Sequence, residues 1–502
     1  MGGAILLESS VAKFQQSKKV KIHTGAGSFG YKEIGKQLEF GTPKWNIQWN
    51  SYYQNTKNNF PYTYQNNNYK LSNANATAIG SLLNFSYQLN TKKRFQAHYI
   101  NLQAWWQGNN RAIPPAFFEQ KSTKLQNDNS LRSLIHWHLR HKYNECNIKL
   151  SFIQEKAVYN DTLVQLFNHY HSQSVFGSLQ WKYFVNINPQ WGTHKFQVIL
   201  PFDYTTLQNP QANINTRQIK HAVAFQYDWI HPKKWLHLQG AIRKDWVIDR
   251  ASIPLSPSLS SSINLFNYHE AWKVQWTAAI QKTYRVPTLN ELYYFPGGNT
   301  QLLPEYGWNR QSGFSSTFKN NLFNTNVGID YFNRSIHNWI YWLGGAIWTP
   351  YNISKVQSSG FEFYFKHHHN VSPSVQVLVQ MSYSNTIAQT IEALLPNDKS
   401  IGKQIPYVPK HNFQNNLSFI WKNFVLNYNH TYTGYRYITI DESMYLNPFY
   451  LGNMHLNYTF QLGVSKIMLN GAIQNIWNKD YQVIANRPMP GRSFALQCSV
   501  EL

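Results

Sequence analysis

Two runs of histidine are the first residues whose type and spacing could do chemistry: His367-His368-His369 and His136-Trp137-His138. Adjacent residues on a β-strand point to opposite faces, so only His367 with His369, and His136 with His138, can share one. The first run precedes Asn370 and Ser372-Pro373, which are turn formers, and this places it at a wet strand end. No His, Cys, Asp or Glu spacing matches a zinc or calcium motif, so neither a metal site nor a cofactor is expected. Cys146 and Cys498 are the only cysteines, too few for a disulfide framework and far from a C-x-x-C pair. Neither G-x-S-x-G nor a phosphate-binding glycine loop occurs, and no catalytic residue is assigned.

The elements that would hold such residues read as strands. Phe494, Leu496, Cys498, Val500 and Leu502 alternate with Ser493, Ala495, Gln497, Ser499 and Glu501. Phe361, Phe363 and Phe365 alternate with Glu362, Tyr364 and Lys366, and Phe323 to Tyr331 and Phe196 to Phe202 repeat the pattern. A period of two with one apolar face predicts half-buried strands, and few stretches show the 3.6-residue period of a helix. Between them lie polar, aromatic-spiked segments at 54–70, 109–128 and 208–217. A large antiparallel sheet must split into sandwiches or close into a barrel. The polar faces are dominated by Asn, Gln, Ser, Thr and Tyr rather than by charge, which suits a wet lumen. Trp and Tyr gather near expected strand ends, as in the girdles of membrane barrels. A soluble propeller would show a blade repeat of about 40–50 residues, and none is found. At about 20–25 residues per strand with its connection, 502 residues predict a transmembrane antiparallel β-barrel of about 22 strands.

Composition supports that architecture. Charged residues make up 14% of the chain and aromatics 16%, a balance that excludes intrinsic disorder. Mean hydropathy is −0.48 and no apolar run approaches 18 residues, which argues against membrane helices. Residues 1–9 lack the basic start and apolar run of a signal peptide. The net charge is +23, but the basic residues are dispersed and carry no nucleic-acid-binding module. Attraction to anionic lipopolysaccharide, or steering of an anionic substrate, explains the charge as well.

The sequence also resembles a known family. Tyr284-Arg285-Val286-Pro287-Thr288-Leu289-Asn290-Glu291-Leu292-Tyr293 is similar to the R-x-P-T-L-x-E-L-Y element of TonB-dependent outer-membrane receptors, and Gly297-Gly298-Asn299 through Pro304-Glu305 follows it as there. Asn475-Ile476-Trp477-Asn478-Lys479-Asp480-Tyr481 and Arg487-Pro488-Met489-Pro490-Gly491-Arg492-Ser493-Phe494 resemble the pair of elements ahead of that family's last strand. Asn352 with Ser359-Gly360-Phe361-Glu362, and Ile405 to His411, fall in family order between them. Residues 25–30 and 59–62 look like its first barrel strands. The size and the Pro-Met-Pro-Gly-Arg ending resemble the cobalamin and siderophore receptors.

The resemblance implies energised uptake of a scarce chelate, without catalysis. Long outer loops would bind the ligand, and among them Trp105, Trp106, Phe117, Phe118, Tyr293, Tyr294 and Phe295 are the expected contacts, by stacking. A girdle or packing role would use the same side chains. Arg285, Glu291, Glu305, Glu362 and Arg492 are expected to face the lumen, where the family's plug would touch them, because lipid exposure of Arg or Lys costs about 2–4 kcal/mol at mid-bilayer. Residues 478–480 are expected as a turn at the short-turn side of the barrel. Residues 1–10 resemble the end of a plug and 11–502 the barrel, so partnership with a TonB complex would need a plug and a TonB-binding segment upstream. The expected partners are outer-membrane lipid, including lipopolysaccharide, and the chelate; the barrel is expected to be a monomer. Two other classes stay open: a plugless pore or surface-binding barrel, and a soluble aromatic-rich glycan-binding β-protein.

Overall fold

The computed structural model describes residues 14–89, 95–185, 189–248, 253–343, 347–393 and 398–502; the segment read as the end of a plug, 1–10, lies outside them. Twenty-two strands form one antiparallel sheet in which sequence neighbours pair in order. The first strand, Ser17–Gly27, pairs with Tyr31–Gly41 on one side and with the last, Ser493–Glu501, on the other, at Lys21↔Glu501 and Ile22↔Val500. That last pairing closes the sheet and leaves it without an edge. The all-β barrel expected from the alternation is the fold observed.

Alternation sets the two walls. Phe494 and Leu496 are 53% and 73% exposed on the outer face of the last strand, whereas Ser499, of opposite parity, is buried. Phe196, Leu200 and Phe202, Ile329 and Tyr331, Phe361 and Phe363, and Leu417 and Phe419 continue the outward apolar band around the barrel. In water a continuous apolar surface of this size would aggregate; in a bilayer it is the solvated face. Crossing takes about 9–11 tilted residues. The strands run from 9 residues at Ser493–Glu501 to 24 at Thr349–Ser372, so the longest stand well clear of the band.

The two ends differ. Connections 142–143, 320–322, 373–374, 422–423 and 463–464 are tight and lie at one end; 57–75, 113–124, 286–304, 434–448 and 475–492 are long and lie at the other. Residues 478–480 belong to the long connection 475–492, not to a short turn; their turn-forming residue types do shape the chain locally, but inside a loop. Residues 59–62 likewise belong to a long connection, where Pro61–Tyr64 and Asn67–Lys70 form a small hairpin outside the barrel sheet. Gln65 and Asn66 take positive φ at its tip, and Phe60, Leu71 and Ala74 pack beneath it. The strands also extend into segments read as loops: Phe95–Ala112, Leu125–His141 and Thr193–Asn209 leave only 113–124 and 210–213 as connections.

Candidate functional site

The site is built from the long connections, and the first to be fixed is 286–304. Arg285 ends the strand Trp272–Arg285 and meets two carboxylates at once. Its Nη1 donates to both oxygens of Glu291 at 3.0 Å, and its Nε and Nη2 donate to Glu305 at 2.7 Å each. Thr288 caps the short helix Leu289–Tyr293: the Glu291 amide donates to Thr288 Oγ1 at 3.2 Å, and the Thr288 amide donates to Glu291 Oε2 at 2.8 Å. This reciprocal pair is a capping box, so Glu291 serves the helix and the guanidinium together. Glu305 also accepts the Ile340 amide at 2.8 Å, and Leu292, Leu302 and Ile340 close over the cluster. Gly297 is required where it stands, because a Cβ there would lie 2.0 Å from the Trp348 carbonyl oxygen.

The anchored loop leans on the inner wall. The Phe295 amide donates to the Tyr170 hydroxyl at 2.7 Å, and Asn168 Nδ2 donates to the Phe295 carbonyl at 3.2 Å. Beneath lies a cavity of about 760 Å³ lined by Tyr159, Tyr170, Phe176 and Tyr294, with Glu155, Asp203 and Lys220 on its wall. Burial, then the neighbouring Tyr170, raises the Tyr294 phenol above its ordinary range, so it stays neutral and able to donate.

A second basin sits on the rim, where four long connections meet. Phe117 stacks on Tyr64 at 4.4 Å and on Tyr62 at 5.6 Å between centroids. Opposite, Phe449 packs on Tyr481 at 4.8 Å. Between the stack and this pair lies a pocket of about 430 Å³, with Tyr445, Lys479, Asp480 and Gln482 also in its lining. The loops are knitted together. Arg487 donates to the Pro114 carbonyl, and the Phe117 amide donates to the Asn486 carbonyl at 3.1 Å. Arg436, 4% exposed, donates to the carbonyls of Gln482 and Val483 at 2.7 and 3.0 Å and lies over the Phe449 ring. Asn475 clamps its own loop, accepting the Lys479 amide at 2.9 Å and donating to the Lys479 carbonyl at 2.8 Å. Aromatic faces flanked by one cation, one carboxylate and amides suit a flat ligand with polar edges.

The residues singled out from the sequence fall in different places. Phe117 lines the rim pocket, and Phe118 beside it is 74% exposed. Tyr294 lines the lumen cavity, while Tyr293 packs beside Leu292 in the loop's small core. Trp105 and Trp106 are not in a loop but inside the strand Phe95–Ala112, on opposite faces. Trp105 lies inside under Arg132 (4.8 Å), itself 2.8 Å from Glu155; Trp106 is exposed on the outer wall. Arg285, Glu291 and Glu305 form one cluster at the loop-bearing end. Glu362 has inward parity opposite Asp330 and Ser384. Arg492 stands one residue before the last strand, exposed, on the parity of outward Phe494. His136 and His138 share one acceptor, Asn147 Oδ1, at 3.0 and 2.7 Å, and His367 and His369 are outward beside Phe323. Among the described residues no group of three His, Cys, Asp or Glu is placed to hold a metal. Tyr62, Tyr64, Phe449 and Tyr481 escaped the sequence reading. Tyr62 and Tyr481 stood within family elements, but nothing in one loop's sequence says which other loop it faces.

The family model for the TonB-dependent receptor-like β-barrel matches residues 25–476. The chain belongs to the TonB-dependent receptor family. Its members are transporters rather than enzymes, and this receptor barrel is an outer-membrane protein with its apolar wall in lipid. No curated protein sequence matches it. Solved receptors share the fold at low identity. The siderophore receptor PirA of Pseudomonas aeruginosa is 13% identical at a TM-score of 0.69, covering 98% of this chain and 81% of that one. The FrpB iron transporter of Neisseria meningitidis is 12% identical at 0.72, with 97% and 82% covered. The Serratia marcescens hemophore receptor HasR, solved with its hemophore and heme, is 12% identical at 0.73, with 97% and 80% covered.

Proposed function

We propose that this receptor barrel captures a scarce metal chelate, of the ferric-siderophore or cobalamin kind, at the rim pocket and passes it toward the lumen. The observation that carries the reading is the Tyr62–Tyr64–Phe117 stack facing the Phe449–Tyr481 pair, contributed by three separate loops and the first residue of the strand Phe449–Leu462. Nothing in the barrel's closure requires such stacks. The lumen cavity beneath Tyr294 is the next station inward. Energising this uptake by TonB requires a plug and a TonB-binding segment upstream of the barrel.

The test is binding of ferric siderophores, heme and cobalamin to the detergent-solubilised chain, followed by tryptophan fluorescence. One class of chelate should bind, and Phe117→Ala or Tyr481→Ala should weaken it about tenfold, the equivalent of about 1.4 kcal/mol of stacking. Unchanged affinity in both variants would remove the rim pocket from the reading.

A further inference from the structure

The loops around the rim pocket carry charge unevenly. Connections 57–75 and 475–492 hold Lys57, Lys70, Lys479, Arg487 and Arg492 against a single carboxylate, Asp480. The carboxylates of the other two connections are engaged away from the pocket. Glu119 accepts from Lys124 at 2.6 Å, Asp441 from the Ser443 hydroxyl at 2.7 Å, and Glu442 lies 3.5 Å from Lys403. Among the described residues Asp480 is thus the one carboxylate in the pocket's lining.

Behind the lining stands a buried cation. Arg436 is 4% exposed; its Nη1 and Nη2 donate to the carbonyls of Val483 and Gln482, and its Nε has no partner among the described residues. No carboxylate among them forms an ion pair with it. Two carbonyls need only a neutral donor such as an amide, so the charge is surplus to the task of holding the loops together. The Phe449 ring, 5.0 Å from the guanidinium, and Gln482 both line the pocket, which puts that charge in the pocket's own wall. A guanidinium does not give up its proton, and carbonyl dipoles with one ring face offset only part of the penalty of burying it. Lys479 is a second cation, in the lining itself; its Nζ lies 5.8 Å from the Tyr450 ring, and it has no ion pair among the described residues. Two cations and one carboxylate leave the pocket positive before any ligand arrives.

We infer that the rim pocket selects an anionic chelate with aromatic arms, of the ferric catecholate class, and that Arg436 and Lys479 set this choice. The inference rests on the rim pocket being the site of capture, and it adds the ligand's charge, which the aromatic faces leave open. A catecholate arm is a flat ring with charged oxygens on one edge. One arm can therefore lie against the Phe117 stack and meet the cations at once. A ferric hydroxamate of three arms is neutral and would leave Arg436 uncompensated. A carboxylate chelate without rings would answer the cations but leave the stack bare. Attraction across a pocket wall shielded from water is stronger than the same attraction in solution, so charge discriminates between ligands of one shape.

The probes are two ferric complexes built on one tripodal scaffold. One is a tris-catecholate, an anion; the other is the near-isosteric tris-hydroxypyridinonate, whose arms are also aromatic but which has no net charge. The full chain in non-ionic detergent is titrated with each, and tryptophan fluorescence gives Kd. The parent should hold the catecholate about tenfold tighter or more, by a ratio that shrinks as salt is raised. Lys479→Gln should weaken the catecholate about fivefold, Asp480→Asn should tighten it about threefold, and both should leave the neutral complex within about twofold. Arg436→Gln keeps a donor for the carbonyls and should erase most of the preference; if it weakens both complexes alike by loosening the loops, the Lys479 and Asp480 variants carry the test. Lys422→Gln, in a short turn at the other end, should change neither affinity. Equal affinity for the two complexes, each still weakened by Phe117→Ala, would overturn the charge selection and leave the pocket as a capture site. Affinities untouched by both Phe117→Ala and Tyr481→Ala, or no binding of either complex, would overturn the pocket and the charge selection with it.

Discussion

The inner and outer walls of this barrel are made by the same strands, one residue apart, yet they solve the problem of charge in opposite ways. Inside, cations and carboxylates face one another across a wet lumen and pair, as Arg132 with Glu155 and Lys220 with Asp203. Outside, the strands present mainly apolar and aromatic residues. The single-residue period of the switch means that position in sequence says little about environment, whereas parity says nearly everything. Trp105 and Trp106 show it at its sharpest: one lies under Arg132 and the other faces lipid.

The largest test of the comparison lies on the inner side. Arg285 holds Glu291 and Glu305, both at least nine-tenths buried. Arg285→Ala leaves two carboxylates without their cation and should destabilise the loop-bearing end by about 3–5 kcal/mol, the usual cost of breaking a buried pair from one side. Urea unfolding of the barrel in lipid vesicles measures it. A loss below about 1 kcal/mol would show that the cluster is solvated rather than interdependent. The paired substitution of adjacent residues is the next largest. Leu150 is outward, six residues above the short-turn end of its strand at Asn144, and Ser151 is inward. Leu150→Arg should cost about 2–4 kcal/mol, whereas Ser151→Arg should cost less than about 1 kcal/mol. Equal costs would break the two-wall picture.

Most of the fold could be read from sequence because a barrel is periodic. Alternation at 493–502 and 361–366 fixes strand, face and class, and chain length fixes the strand number to within two. The binding surfaces could not be read so directly, since they arise where loops distant in sequence meet. Phe117 and Phe449 are 332 positions apart and share a pocket only because closure of the sheet brings the loop 113–124 and the start of the strand Phe449–Leu462 to one rim. The Arg285 motif was legible as a family element, but its role as a clamp depends on Glu305 across the loop and on the Ile340 amide, neither visible in its spacing. Residues 478–480 mark the complementary failure. Their residue types announce a turn, and they are silent about which end of the barrel the turn is on.

The smallest effect concerns pH, and it distinguishes the walls because acid titrates carboxylates and leaves Lys and Arg charged. Two groups on the loop-bearing end report it. Burial alone would raise the Glu119 carboxyl, but the Lys124 ammonium at 2.6 Å and the Ala116 amide outweigh it and hold Glu119 below its ordinary value. Hydrogen bonds from the side chains of Ser443 and Thr439, and from the Ser443 amide, pull Asp441 down to about 2. A carboxyl whose folded value is depressed adds stability that is fully present above its unfolded value near 4, and that is lost as pH falls through the folded one. Connections 113–124 and 434–448 should therefore loosen as pH drops below about 4, while the apolar outer wall, which has nothing to titrate there, should stay as it is. Hydrogen exchange of the Glu119 amide, which donates to the Ala116 carbonyl at 2.9 Å, follows the first loop. Protection should fall on acidification in the parent and be low and flat in Glu119→Gln, where the charge on Lys124 has lost its partner. A parent that keeps full protection at pH 3 would place the grip of this loop on the Phe117 stack and the Arg487 bond instead, which no proton in that range can reach.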